Sequence, residues 1–87
     1  MKLRLKGQEA AAGTSTTNGS NYSNAKLVRV HNAGTTQRLV SIEDSGNTLK
    51  YTFTISGGAT EFLEKDPTDE IFAANAEVKC VSVAYYS

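Results

Sequence analysis

Apolar and polar positions alternate along most of the chain. Over residues 49–55, Leu-Lys-Tyr-Thr-Phe-Thr-Ile, a large apolar residue stands at every second place with Lys50, Thr52 and Thr54 between. Successive side chains of a strand point to opposite faces. The pattern therefore predicts a strand with Leu49, Tyr51, Phe53 and Ile55 on a core and a Thr-rich outer face. Residues 2–6 alternate Leu3 and Leu5 against Lys2, Arg4 and Lys6, as an edge strand does when like charges discourage uncontrolled pairing. Residues 26–32 place Val28 and Val30 inward and Leu27 on the opposite face. Residues 37–43 alternate Arg38, Val40 and Ile42 against Gln37, Leu39 and Ser41, and residues 60–65 carry Phe62 and Leu63. In residues 77–86 both faces are apolar, which predicts a central strand or one covered by a neighbouring subunit.

Turn chemistry separates these runs. Asn32-Ala33-Gly34-Thr35, Asp44-Ser45-Gly46-Asn47 and Ser56-Gly57-Gly58-Ala59 supply residues that tolerate tight reversals, so residues 26–65 read as hairpins in a meander with 49–55 at its middle. Pro67 lacks the ladder N–H and forces a corner at 66–70, after which Ile71 and Phe72 return to the core. Six or more short strands with such turns predict an all-β fold. It would be a small antiparallel β-sandwich, Ig-like or jelly-roll-like, with a small β-barrel as the alternative. A single domain spans residues 1–87, with an N-terminal strand at 1–7 and a long loop of small and polar residues at 8–24. Loops of that length in compact domains are functional or flexible.

A chain of 87 residues has a small core and hides only roughly two-thirds of its unfolded surface. Association with further copies is the expected supplement. Net charge is zero, but residues 1–50 hold seven bases against three acids and residues 51–87 hold two bases against six acids. Kept apart by the fold, these halves would make complementary patches; interleaved, they would cancel. The N-terminus alternates where a signal peptide would be continuously apolar, and no stretch reaches a membrane span. The expectation is a soluble molecule or one carried in a larger assembly, without membrane partners.

Candidate chemistry is sparse. The one histidine, His31, and the one cysteine, Cys80, would need each other and an orienting carboxylate to make a nucleophilic site. Cys80 falls in an apolar strand with no helix start or Gly-rich elbow to lower its pKa, so it reads as core. One His and one Cys cannot close a zinc site. Glu61, Glu64, Asp66, Asp69 and Glu70 do not follow the calcium-loop spacing and read as a solvated acidic corner. A neutral chain whose aromatics alternate into its core is not expected to bind nucleic acid. The sequons at Asn18 and Asn21 are chance matches in an Asn/Ser-rich loop. The expectation is a protein that is not an enzyme and needs no cofactor or metal.

Val28-Arg29-Val30-His31-Asn32-Ala33-Gly34, Ile55-Ser56-Gly57-Gly58-Ala59-Thr60 and the closing run from Val78 to Tyr86, in a short Thr-rich chain, resemble small β-sandwich structural proteins of tailed bacteriophages. The capsid decoration, or cement, proteins are the particular likeness, over residues 25–87. The resemblance implies a virion component made in the host cytoplasm and placed on the outer capsid surface. Its partners would be the major capsid protein and copies of itself, and it would stabilise the head as a homo-oligomer. The residues offered for contact are Lys2, Arg4 and Lys6 in the N-terminal arm, Thr14, Thr16, Thr17, Asn21 and Tyr22 in the loop, and Tyr85 and Tyr86 at the end. The alternative is a carbohydrate- or host-surface-binding module of a tail or fibre, which requires an exposed aromatic platform.

Overall fold

The computed structural model describes residues 2–86, with side chains described for residues 4–84. Eight strands form two antiparallel sheets: β1 (Lys2–Leu5), β2 (Ala10–Ala11), β3 (Leu27–Asn32), β4 (Arg38–Glu43), β5 (Leu49–Ile55), β6 (Thr60–Glu64), β7 (Glu70–Ala73) and β8 (Val78–Tyr86). The larger sheet runs β1-β8-β3-β6, with β2 also on β8, and the smaller runs β5-β4-β7. The fold is a small all-β sandwich, as the alternation predicts.

The core lies between the sheets. Val28 and Val30 of β3 and Val78 and Cys80 of β8 face Val40 and Ile42 of β4, Ile55 of β5 and Ile71 and Ala73 of β7. All are buried, and Val28 and Val30 point inward as their spacing requires. Strand β8 is central, between β1 and β2 on one side and β3 on the other. Its second apolar face, Val81 and Val83, is buried as well, on the outer face of the sheet with Leu27.

The connections depart from a meander. Among the described residues only β4 and β5 form a hairpin; there Asp44 Oδ1 accepts from the amides of Gly46 and Thr48, and Asn47 takes the left-handed conformation. After β3 the chain crosses to the smaller sheet, and after β5 it crosses back, so β6 pairs with β3. Asn32 accounts for both crossings. It is fully buried, its Nδ2 donates to Thr36 O at 2.8 Å and Ile55 O at 3.2 Å, and its Oδ1 accepts from Gly34 N at 3.0 Å. The tight reversal expected at 32–35 is instead a clamp joining the end of β3 to the end of β5.

Burial along β5 is also uneven. Ile55 is buried and Phe53 half-buried, but Leu49 and Tyr51 are 56% and 64% exposed, contrary to the expectation that all four fill the core. Alternation sets the face of a side chain, but not whether another element reaches over that face. Strand β5 is an edge, and beyond Phe53 the opposing sheet does not cover it.

The polar segment 8–24 is built into the sandwich. It contributes β2, a 3-10 turn at Thr16–Asn18 and two bridges to β7, Gly13 with Phe72 and Ser20 with Ile71. Ala12 is buried in the core and Tyr22 packs against it, so the segment is not a loop without apolar anchors.

Candidate functional site

Two flanks of the sandwich hold the molecule's unusual chemistry. On the first, the edges of β5 and β6 stand apart and leave an open groove of about 600 Å³. Its apolar part is Ile42 of β4, Tyr51 and Phe53 of β5 and Leu63 of β6, and its rim is Lys26, Glu64, Lys65, Asp66 and Asp69. A bulge shapes the β5 side: Ile42 pairs with Tyr51 but Glu43 with Leu49, leaving Lys50 unopposed. Lys50 Nζ reaches Asp69 Oδ2 at 2.9 Å and Asp66 Oδ2 at 3.3 Å, and lies 5.6 Å from the centre of the Tyr51 ring. Its hydrogen bond to Asp69 is the main reason its pKa is raised. Lys65 is the opposite case, because burial pushes its ammonium down while Nζ donates to the carbonyls of Asp66 and Pro67.

The acidic corner is thus divided. Glu61, Glu64 and Asp66 are exposed, but Asp69 is buried against Lys50, so the corner is not wholly solvated. Among the described residues no group of three or more His, Cys, Asp and Glu side chains is placed to hold a metal ion.

On the second flank, residues 13–20 lie along β7 and cover two carboxyl groups. Glu43 is fully buried and, among the described residues, its Oε1 has no hydrogen-bond partner. The Asn47 amide, with its nitrogen turned inward, donates to Glu43 Oε2 at 3.2 Å and to Thr16 O at 2.9 Å. Burial raises the Glu43 pKa, and hydrogen bonding with the neighbouring Glu70 carboxyl raises it further. The covering segment is fixed locally by Ser15 N, which donates to Asn18 Oδ1 at 2.8 Å, and by Gly13, where a Cβ would stand 2.0 Å from Asn18 O.

The contact residues expected from the sequence separate in space. Thr14, Thr16 and Thr17 are exposed on the second flank. Asn21 is half-buried, and its amide is engaged locally, donating to Asn24 Oδ1 and accepting from Asn24 N. Tyr22 is half-buried: residues 22–24 all take positive φ, and this left-handed turn packs the ring against the core. Its hydroxyl is buried, and burial followed by the adjoining Cys80 raises its pKa. Arg4 on β1 and Lys6, just after its end, are exposed. The side chains of Lys2, Tyr85 and Tyr86 lie outside those described.

His31 and Cys80 do not form a nucleophilic pair. His31 Nδ1 bonds Thr60 Oγ1 at 2.8 Å on the edge side of β3, whereas Cys80 is fully buried in the core and burial pushes its thiol up to about 11. Charges from the two halves of the sequence meet where Arg38 pairs with Glu77 and Lys50 with Asp69 and Asp66. Sequence reasoning missed the groove and the buried Glu43. An apolar run ending in Glu-Asp-Ser-Gly carries no sign that a distant segment covers the Glu. No protein-family model, curated protein or solved structure matches the chain.

Proposed function

We propose that this chain is a non-enzymatic virion structural protein, a capsid decoration or cement protein that binds a major capsid protein lattice and stabilises the phage head. The observation that supports an assembly role is the set of large apolar side chains left in solvent on a domain of this size: Leu5, Leu39, Leu49, Tyr51 and Phe62. Four of the five lie on β1, β5 or β6, strands at sheet edges, where a partner backbone can add. The virion assignment rests on the family resemblance of residues 25–87. Many copies on a lattice bind through simultaneous weak contacts, so each copy needs only a modest surface. Mass spectrometry of intact particles from the source of this chain tests the reading. The protein should be found in many copies per particle, and shells assembled without it should bind added protein. Absence from particles together with no binding to shells would overturn it.

A second reading, a carbohydrate- or host-surface-binding module of a tail or fibre, is favoured by one feature. Tyr51 is 64% exposed beside the carboxylates of Glu64 and Asp66, and an aromatic face next to polar groups suits a sugar ring. Titration with oligosaccharides should then shift the NMR signals of Tyr51 and Phe53. Unchanged spectra at saturating sugar would remove this reading.

A further inference from the structure

We propose that copies of this chain join head to tail, with β1 of one copy adding to the free edge of β6 in the next and continuing the larger sheet. This deepens the assembly reading by naming the self-association surface, and it needs no shell protein. Among the described residues β1 pairs only with β8 and β6 only with β3, so each presents one open edge, at opposite ends of the β1-β8-β3-β6 path.

Strand direction is the first support. Every neighbouring pair along the path is antiparallel, so four strands alternate and β6 runs opposite to β1. A second copy in the same orientation therefore brings its β1 antiparallel to β6, and the alternation continues unbroken.

Side-chain parity is the second. Leu5 lies opposite Val83, two residues from Val81, which lies opposite Arg29, itself opposite Phe62; Leu5 and Phe62 thus share the outer face. Both are exposed, by 60% and 47%. Lys6 N donates to Ser82 O, Ser82 is paired with Val28 and Val28 with Leu63, which puts Lys6 on the other face, in phase with Glu61. A register that sets Leu5 against Phe62 consequently sets Lys6 against Glu61. It joins an apolar pair on one face to an opposite-charge pair on the other.

Charge selects the partner edge. Arg4 and, just past its end, Lys6 make the β1 edge basic, and Glu61 and Glu64 make β6 acidic. Pairing of β1 with β1, or of β6 with β6, sets like charges side by side and is disfavoured, whereas β1 with β6 is favoured. The contact is heterologous, so it propagates into a ring or a filament rather than stopping at a dimer.

Sedimentation velocity of the full chain over a concentration series, with no shell protein present, tests the proposal. Failure of shell binding and failure of this contact are then separate results. Species larger than a dimer are expected at about 0.05 M salt and should dissociate toward about 0.5 M, where screening shortens the reach of the charges. K6E or E61K alone should weaken association about tenfold or more, and the K6E/E61K double variant should recover it. Both positions are exposed, and circular dichroism reports whether each variant keeps its strands. Hydrogen exchange of the unsubstituted protein supplies a test free of mutation, since β6 amides should gain protection as concentration rises. A chain that stays monomeric at millimolar concentration overturns the proposal. Single reversals that associate as the parent does, or a double variant that fails to recover, would do so too.

Discussion

The two edges of the smaller sheet are finished in opposite ways. At β7 the edge is occupied: Ala73 N donates to Gly13 O at 2.9 Å, and Ser20 and Ile71 exchange backbone hydrogen bonds of 2.8 and 3.1 Å. At β5 no strand adds among the described residues, and the apolar residues of its first half stand in solvent. The closed edge is made by the most polar segment of the chain and the open edge by its most regular apolar alternation. Backbone groups can seal an edge without apolar side chains, while apolar side chains cannot fill a core that no second element covers.

The largest expected effect separates the two edges by truncation. Ile71→Ala on β7 removes a fully buried side chain from the core and should cost about 2–5 kcal/mol. Leu49→Ala on β5 removes a comparable side chain that is 56% exposed and should stay within about 0.5 kcal/mol. Urea unfolding of both variants measures the difference. Equal losses would mean that β5 is covered in solution and that the groove is closed.

A smaller effect tests how the sealed edge is held. Gly13→Ala places a methyl 2.0 Å from Asn18 O, a backbone atom of the 3-10 turn, so the segment must move. The expected cost is about 1–3 kcal/mol, carried mainly by local opening. Hydrogen exchange should show faster exchange at the amides of Ala73 and Ile71, which donate to Gly13 O and Ser20 O, with little change at the core strands β3 and β8. Acceleration across the whole chain would show instead that the segment and the core unfold as one unit.

The strands were legible in the sequence because their signal is local. Alternation at Val28/Val30 and at Val40/Ile42, and the Asp44–Asn47 turn, specify faces and a hairpin within a few residues. Pairing between β6 and β3, or between Gly13 and Phe72, depends on how distant segments meet, and no short pattern encodes it. Asn32 shows the boundary. Its type and place suggest a turn, yet its side chain holds two crossings between sheets, and those partners lie as far away as Ile55. The candidate site followed the same rule. Exposed Arg4 and Lys6 at the β1 edge could be read from their alternation, whereas the groove arises from the unequal reach of two edges and could not.

Glu43 gives a pH-dependent reading of the sealed side. In the folded protein burial and the adjacent Glu70 raise its pKa above the ordinary glutamate value, so the folded state holds the Glu43 proton more tightly than the unfolded chain does. Stability from this group is therefore full below the unfolded glutamate pKa and is lost as pH rises through the raised folded value. Glu43→Gln replaces the carboxyl with a neutral amide of the same size. It should stabilise the protein at neutral pH and have little effect under acid conditions, where the native carboxyl is already protonated. Thermal melts of parent and variant across this range should diverge on raising the pH. The open flank supplies the control, because Glu64→Gln alters an exposed carboxyl of the groove rim and should leave the melting profile of the parent unchanged. If Glu43→Gln also followed the parent at every pH, the carboxyl would have to be solvated, and the seal formed by residues 13–20 would be open in solution.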